Sequence, residues 1–528
     1  MSSHMVDPPT GTASGIVVLD GQSLPVADVV RLADGMARPV PGAAAAERVE
    51  LSWNVARELA ASGRVYGRST GVGANRTEDL PTEAAGHGLR LLRSHAGAIG
   101  DPLPAREVRA MLAVRANQLL AGGAGLRPGV VTALCEALES GAYPVVNEFG
   151  SVGTGDIAAL AQLGLALAGE HPWHGGTPPE PQALDNNDAL ALISSNALTL
   201  GQAALALAEL RALITATELV AALSLLAVDG SYEAYAEPVH AARPHPGTYA
   251  VAARMRQLLG APERPTPPLG RIQDPYGFRC LPQIHGPAQD AADALERTLA
   301  VEINAAAENP LIRPADKAAY HHGGFYLAGL ALDLDHFRLA LTQTARLSTS
   351  RLSALNEPAF TRLRPFLAGA EAAGSGVMIL EYAAGAALGD LRAFSAPASL
   401  GHAVLSRGVE EQASFASLAA RQTLRAVGPY RLVVGCELVA AVRALRQRGL
   451  RPDPGLPVGR AFELAENVLD ADVADRPLTD DVTGAAGLLD RFTDLMRVLT
   501  PDPIRDLTRA PMTDLTRDPI RDPTRGMV

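Results

Sequence analysis

Long, weakly charged stretches in which alanine and leucine recur every three or four residues place the strongest constraint on the fold. They are the segments 105–121, 128–140, 188–228, 287–307, 327–355 and 410–448. This spacing puts apolar side chains on one face of a helix, and several segments are longer than a typical globular helix. Because 47% of the 528 residues are hydrophobic and only 4% are aromatic, we expect closely packed aliphatic helices. The sequence therefore predicts a mainly α fold, an elongated bundle of long central helices with a smaller mixed N-terminal region.

Four regions are predicted along the chain. Residues 1–14 are expected to be a flexible N-terminus, 15–187 an N-terminal region, 188–497 the central bundle with C-terminal helices, and 498–528 a disordered tail. The tail contains three imperfect octads ending in Asp-Leu-Thr-Arg or Asp-Pro-Thr-Arg, and its prolines and balanced charges oppose independent folding. Strand signals are few, at 15–19 and around 64–66.

Composition argues against several classes of partner. The net charge is -11 and no block of basic residues is present, so a nucleic-acid partner is not expected. The uncharged run 189–208 is interrupted by polar residues and is interpreted as a buried core helix, which predicts no membrane span. Three widely spaced cysteines and the absence of secretory-signal features favour a reducing cytoplasm.

The sequence also limits the cofactor chemistry. Lys317 is the one lysine in the chain and lies in a loop-like segment, which argues against pyridoxal phosphate and other Schiff-base chemistry. The histidines show no spacing typical of a zinc site, so no metal is predicted.

Three loops carry residues suited to catalysis. In the turn 150–156, Gly-Ser-Val-Gly-Thr-Gly-Asp, the glycines permit close backbone approach around the hydroxyl of Thr154. The glycine-rich loop 65–76 surrounds Tyr66. The loop 273–283 holds Tyr276 and Arg279, where an arginine suits a carboxylate and a tyrosine with a lowered pKa suits a base.

A fourth segment, 406–412, places Glu410 at the predicted start of a long helix, where the helix dipole favours an acidic residue whatever the function. Considered singly, each of these segments also has a purely structural interpretation.

Together and in this order, the segments resemble the histidine and phenylalanine ammonia-lyase family, the aromatic amino acid lyases, from residue 18 to about 448. The motifs that carry the resemblance are Tyr66-Gly67 with Thr70-Gly71-Val72-Gly73, Ser94-His95-Ala96, Arg115-Ala116-Asn117, Gly150-Ser151-Val152-Gly153, Arg271-Ile272-Gln273-Asp274-Pro275-Tyr276 with Arg279-Cys280, Pro282-Gln283-Ile284-His285-Gly286, and Asn309-Pro310-Leu311.

The resemblance implies a mostly helical homotetramer in which three subunits build each active site. Such enzymes expel ammonia from an aromatic amino acid without an added cofactor. Their electrophile is a methylidene-imidazolone, formed when an Ala-Ser-Gly triplet of the chain cyclises and loses water.

The resemblance also implies roles for individual residues. Tyr66 is the expected base for the β-proton, Tyr276 assists departure of the amine, and Arg279 holds the substrate carboxylate. Both tyrosines are then expected to need lowered pKa values. Further residues expected to line the pocket are Gln273, Glu410 and His95, the last against the substrate side chain.

The sequence departs from the family at the triplet itself. Gly153-Thr154-Gly155-Asp156 stands where the family has Gly-Ala-Ser-Gly-Asp, one residue shorter and without the serine. Either Gly153-Thr154-Gly155 cyclises to an ethylidene ring whose extra methyl hinders addition, or no ring forms and Thr154 keeps its hydroxyl. Other substrate-pocket positions differ too: Ser194 replaces a family asparagine with Asn196 nearby, and Tyr326 falls in an altered Gly-Gly run.

Three functions remain open from the sequence. The first is a lyase or aminomutase that eliminates ammonia from, or shifts the amine of, an aromatic or histidine-like amino acid. The second is a ring-less acid-base enzyme, a cyclase or eliminase in specialised metabolism, that uses Tyr66 and Arg279 on another carboxylate. The third is a non-catalytic homologue that partners an active subunit.

Overall fold

The computed structural model describes residues 15–81, 86–265 and 271–497, and the predictions for 1–14 and 498–528 lie outside these ranges. In the N-terminal part the helices and strands are β1 Ile16–Leu19, α1 Val26–Ala33, β2 Arg38–Pro41, α2 Ala43–Ser62, α3 His87–His95, β3 Ile99–Pro102, α4 Ala105–Leu120, α5 Gly129–Ser140, β4 Tyr143–Pro144, β5 Asn147–Phe149, α6 Ile157–Leu167 and β6 Trp173–His174.

Helices dominate the rest of the described chain. Its elements are α7 Ala189–Ile193, α8 Ala197–Ala227, α9 Glu237–Ala241, α10 Pro246–Leu259, α11 Tyr276–Arg279, α12 Leu281–Glu302, β7 Leu311–Arg313, β8 Ala318–Tyr320, α13 Ala328–Asn356, α14 Pro358–Thr361, α15 Ile379–Phe394, α16 Ala416–Arg425, α17 Val427–Gln447, α18 Pro457–Glu466 and α19 Thr479–Arg497.

The strands form small two-stranded sheets at the margins of the helices. Strands β1 and β2 pair in parallel, whereas β3 with β5, β4 with β6 and β7 with β8 are antiparallel. This arrangement matches the predicted mainly α bundle with a smaller mixed N-terminal region.

The centre of the bundle is α8. It is apolar on all sides and packs against α4, α12, α16, α17 and α19, so its alanines and leucines are buried around the whole circumference. The stretch Ala189–Ala227 is long and apolar enough to cross a membrane by length and composition, but 78% of its most apolar window is buried inside the fold. This is how a core helix of a globular bundle is placed.

The predicted helices are confirmed in position but differ at functional points. The segment 188–228 breaks at 194–196 between α7 and α8. The helix expected to start at Glu410 begins at Ala416, because Glu410 instead pairs with Leu405 in an isolated β-bridge. The strand expected around 64–66 is also wrong, since residues 64 and 65 are irregular and a turn begins at Tyr66, whereas the one at 15–19 is β1. The domain boundary between 187 and 188 remains a prediction.

Candidate active site

The glycine-rich turn 150–156 links β5 to α6 in a backbone conformation that glycine permits. Gly153 and Gly155 have φ of +91° and +120°, a region that side chains disfavour. A Cβ on Gly153 would lie 2.3 Å from Ser414 Oγ and 2.7 Å from the backbone nitrogen of Phe415. The turn is therefore pressed against the segment that leads into α16, and the half-buried Thr154 stands at its centre.

Hydroxyl groups hold this turn from two sides. Within it, Ser151 Oγ accepts a hydrogen bond from Gly153 N and donates one to the Gly155 carbonyl, each at 3.1 Å. From the α16 side, Ser414 Oγ donates to the Gly153 carbonyl at 2.7 Å and Ser417 Oγ to the Ser151 carbonyl at 3.0 Å. The sequence analysis assigned no role to these three serines. Ser151 lies among the glycines of the turn, and Ser414 and Ser417 lie where α16 begins, which are the features that could have indicated them.

Asp156 anchors the end of the turn to the break between α7 and α8. Its N–H donates to the Ser195 carbonyl at 2.7 Å, and its carboxylate accepts from the N–H and hydroxyl of Thr199 at 2.7 and 2.9 Å. Complete burial raises the pKa of Asp156, and the hydrogen bonds from Thr199 oppose that rise. The break in the long helix thus supplies a carbonyl for the turn, which a continuous helix would not.

The same break positions Ser194 and Asn196. Ser194 Oγ accepts the N–H of Asn309 at 3.0 Å, and Asn196 Nδ2 donates to the Phe325 carbonyl at 2.8 Å. Asn196 Oδ1 is buried and has no hydrogen-bond partner in the described part of the chain. Beside Phe325, Tyr326 is half-buried. Ser194 and Asn196, at the position where the family has an asparagine, therefore lie close to the altered Gly-Gly run that contains Tyr326.

Tyr66 faces the 406–410 segment. Its hydroxyl oxygen accepts the N–H of Gly73 at 2.7 Å, and a Cβ on Gly73 would lie 2.7 Å from Ser406 Oγ and 3.7 Å from Glu410 Oε1. The ring of His321, a residue the sequence did not single out, stands edge-on to Tyr66 with centroids 6.3 Å apart.

The expected lowering of the Tyr66 pKa is wrong for this chain alone. Burial raises the pKa of Tyr66 and the negative charge of Glu410 adds to the rise, whereas the Gly73 hydrogen bond and Arg76 act against it. The phenol is therefore held protonated unless a further positive group approaches.

His95 ends α3 next to the glycine-rich turn. Its Nδ1 lies 2.9 Å from the Leu91 carbonyl and 2.9 Å from Ser94 Oγ, which fixes the half-buried ring. A Cβ on Gly150 would lie 2.9 Å from the Cβ of Ala98, so the chain after His95 packs on the turn. We call the turn 150–156 with Thr154 and Asp156, its partner Ser414, and the predicted residues of the surrounding segments the turn cluster; those residues are Tyr66, His95, Ser194, Asn196, Tyr326 and Glu410.

The remaining predicted residues, Gln273, Tyr276 and Arg279, form the α11 cluster. Tyr276 is 67% exposed and Gln273 is exposed, while the Arg279 guanidinium lies 4.4 Å from the centroid of the Tyr276 ring. The backbone of α11 is fixed to the bundle, because Tyr235 donates a hydrogen bond to the Phe278 carbonyl at 2.8 Å and Arg351 donates one to the Gly277 carbonyl at 3.3 Å. No hydrogen bond, ion pair or ring contact between described residues joins this cluster to the turn cluster.

Gly153-Thr154-Gly155 meets the chemical requirements of the family's ring. Thr154 has a β-hydroxyl that can leave as water, Gly155 has no Cβ to hinder its nitrogen, and the Gly153 carbonyl is already polarised by Ser414. The turn would thus supply the electrophile from the chain itself.

No metal site is found in the described ranges, because no group of three or more His, Cys, Asp or Glu side chains there is placed to hold an ion.

Comparison with known proteins finds similarity along most of the chain. A model of the family described as aromatic amino acid lyase matches residues 24–467. The histidine ammonia-lyase of Geobacillus kaustophilus (strain HTA426) is 34% identical over 494 residues, which cover 90% of this chain and 97% of that protein.

Two solved structures show the same fold. The ergothioneine-degrading ergothionase of Treponema denticola, in complex with desmethyl-ergothioneine sulfonic acid, has a TM-score of 0.84 and 26% identity, covering 91% of this chain and 99% of its own. The tyrosine aminomutase of Streptomyces globisporus has a TM-score of 0.85 and 26% identity, covering 92% and 98%.

Proposed function

The chain belongs to the aromatic amino acid lyase family and is a carbon-nitrogen lyase of the ammonia-lyase type, and from that premise we propose how its own residues do the work. Tyr66 takes the β-proton of an aromatic or histidine-like amino acid, and Arg279 binds the substrate carboxylate. The Gly153-Thr154-Gly155 turn supplies a self-derived ring, so no added cofactor is needed.

The observation that carries this proposal is the turn cluster. Tyr66 and Glu410 lie at one end of the 405–417 segment and the glycine-rich turn is bonded to the other end through Ser414. The loop of the base and the turn that is the source of the electrophile thus both contact one segment of backbone. When formed, the ring supplies an electron sink for the departing amine. The chain's own side chains move the proton, orient the carboxylate and exclude water.

We propose that the α11 cluster acts in the site of a neighbouring copy, in a homotetramer. In support, Tyr276 and Gln273 are exposed. Large apolar side chains are exposed as well, among them Ile272, next to Gln273 in the sequence, at 87% and Leu400 at 81%. An arginine from another copy adds positive charge beside Tyr66, where Arg76 of the same chain only partly offsets burial and the charge of Glu410. The added charge lowers the pKa of the phenol, so that more of it is ionised and able to accept a proton.

The remaining assignments complete the pocket. His95 contacts the substrate side chain, Ser194, Asn196 and Tyr326 line the pocket, and Tyr276 assists departure of the amine. The unpartnered Asn196 Oδ1 offers an acceptor for a polar substrate group. With three free cysteines, Cys135, Cys280 and Cys436, we further propose a cytoplasmic location.

One experiment tests the proposal directly. The purified chain is weighed intact, its near-ultraviolet absorbance is recorded, and ammonia release is measured with histidine, tyrosine, phenylalanine and their β-amino isomers. We expect a mass lower by two waters, a matching absorbance band and turnover of one aromatic class. A two-water deficit without turnover of any amino acid would contradict the proposed reaction.

A second candidate is favoured by the shortened turn. Because a Cβ cannot be accommodated at Gly153, the turn is packed more tightly than an Ala-containing triplet allows. If that packing blocks ring closure, Tyr66 and Arg279 remain to act as base and carboxylate anchor in a ring-less cyclase or eliminase. Full mass together with turnover of a non-amino carboxylate, lost in Tyr66→Phe, would establish this reaction instead.

A further inference from the structure

A buried serine donates a hydrogen bond to the carbonyl group that ring closure attacks. Ser414 Oγ lies 2.7 Å from the Gly153 carbonyl oxygen, and both residues are buried. The same Oγ accepts the N–H of Ala416, the first residue of α16, at 3.3 Å. Because a hydroxyl that accepts one hydrogen bond donates a stronger one, the positive end of α16 polarises the carbonyl through Ser414.

The turn is also curled toward this donor. Ser151 Oγ holds the Gly153 N–H and the Gly155 carbonyl at once, so the two ends of the triplet share one hydroxyl. Phe415 N donates to the Val152 carbonyl at 2.9 Å, which fixes the turn against the start of α16. The Gly153 carbonyl is therefore held on Ser414 before any reaction takes place.

We propose that Ser414 is the oxyanion donor for cyclisation of the triplet, an inference that rests on the self-derived ring of the proposed function. In this step the Gly155 nitrogen bonds to the Gly153 carbonyl carbon, and negative charge develops on the carbonyl oxygen next to Ser414. That oxygen leaves as water with the N–H protons of Gly155 and Thr154. Thr154 then loses its Cα hydrogen and its hydroxyl as the second water.

The expected effect follows from other enzymes that stabilise an oxyanion. A preorganised donor is strongest where charge develops, and removing one such donor typically costs a factor of about 10²–10³ in rate. Loss of the Ser414 hydroxyl should therefore slow formation of the ring by that factor, whatever the substrate of the finished enzyme.

Ser417 provides a matched control. It is a buried serine in the first turn of α16, three residues after Ser414, and its Oγ donates to the Ser151 carbonyl at 3.0 Å. That carbonyl belongs to the turn but takes no part in cyclisation. Ser417→Ala thus removes a comparable bond to the turn without touching the reacting oxygen.

The test follows ring formation rather than activity. The full chain and the variants Ser414→Ala, Ser414→Cys and Ser417→Ala are purified at intervals after induction, and the fraction lighter by two waters is measured by intact mass and absorbance. We expect the wild type and Ser417→Ala to lose both waters, while both Ser414 variants stay at full mass over the same period. The cysteine variant keeps the side-chain volume and replaces the hydroxyl by a weak donor, so a folding defect in the alanine variant does not decide the result.

The outcomes separate this inference from the proposed function. If Ser414→Cys or Ser414→Ala matures as fast as the wild type, the role of Ser414 is refuted while the lyase proposal stands. If the wild type loses two waters in a Ser414-dependent way but releases no ammonia, the role of Ser414 stands and the proposed reaction fails. A wild type that keeps its full mass overturns the role of Ser414, and turnover by such a chain identifies the ring-less enzyme.

Discussion

In the turn cluster, hydrogen bonds join backbone and hydroxyl groups of separate segments in the interior of the chain. In the α11 cluster, by contrast, a buried helical backbone carries side chains that face outward. Ser414 and Asp156 are buried and fully engaged with their neighbours. Tyr276 is exposed and stacks only with Arg279 among the contacts of its side chain in the described ranges.

This contrast indicates that the two clusters are suited to different tasks. The groups that must be preorganised for covalent chemistry lie where the chain itself can fix them, as preorganisation requires. The groups that we propose for binding the carboxylate lie on a surface that another copy can complete. The raised pKa of Tyr66 fits this arrangement, because within its own chain the positive charge of Arg76 does not outweigh burial and the charge of Glu410.

The largest effect expected in the turn cluster is on turnover by Tyr66→Phe. Loss of a general base costs a factor of about 10²–10⁴ in kcat/KM, while the two-water mass deficit should stay as in the wild type. Tyr249→Phe is a suitable control, since Tyr249 is a half-buried tyrosine of α10 whose hydroxyl is 3.4 Å from Glu237 Oε1. Equal kcat/KM for Tyr66→Phe and the wild type would remove Tyr66 from the reaction.

The α11 cluster is tested by Arg279→Ala. A charge-assisted hydrogen bond contributes about 1.5–3 kcal/mol, so KM should rise by roughly ten- to a hundredfold. Co-expression with Tyr66→Phe then sharpens the comparison. If the two clusters meet across subunits, mixed oligomers contain sites in which both residues are intact and ammonia release reappears. Mixed oligomers as inactive as either parent would place both residues in the site of one chain.

The long helices were predictable because alanine-leucine spacing is local in sequence. The candidate residues were located through motifs that are also local, and their roles stay predictions. The break at 194–196 was not predictable from that spacing. It depends on Asp156 and Asn309, which are distant in sequence and capture backbone and hydroxyl groups of the break. Tertiary hydrogen bonds decided where the helix ends.

The start of α16 was misplaced for a similar reason. Glu410 favours a helix start on electrostatic grounds, but Phe415 adopts φ of +53° so that its N–H can reach the Val152 carbonyl. The pKa of Tyr66 was also unpredictable from sequence, because burial of its ring and the approach of Glu410 are set by folding.

A third prediction concerns the packing of the turn. Gly153→Ala forces a Cβ to within 2.3 Å of Ser414 Oγ at a φ of +91°, so the turn must shift away from its donor. Backbone strain of this kind costs about 1–3 kcal/mol of stability, measured by thermal or urea unfolding, and ring formation should fall with it. Gly408→Ala has a φ of +83° but open space around the Cβ, and so isolates strain from collision. Equal maturation in both variants would mean that the collision is harmless.

The smallest expected effect is a pH dependence of stability beneath the α11 cluster. His285 of α12 is fully buried with both ring nitrogens unpartnered among the described residues. Burial lowers its pKa well below 6.5, and the positive charges of Arg351, which also holds Gly277, and of Arg254 add to the lowering. The folded chain therefore binds no proton there at a pH where the unfolded chain does.

Stability is consequently complete above pH 6.5 and is lost as the pH falls below it, by about 1.4 kcal/mol per pH unit for one proton. His285→Leu should remove this slope in urea unfolding between pH 7 and about pH 5, a range set by the usual histidine pKa. His402→Gln removes an exposed histidine and should keep the slope. If the pH slope of the unfolding free energy is unchanged in His285→Leu, the destabilising proton binds to a group other than His285. The buried Asp156 of the turn cluster would then be the next group to test.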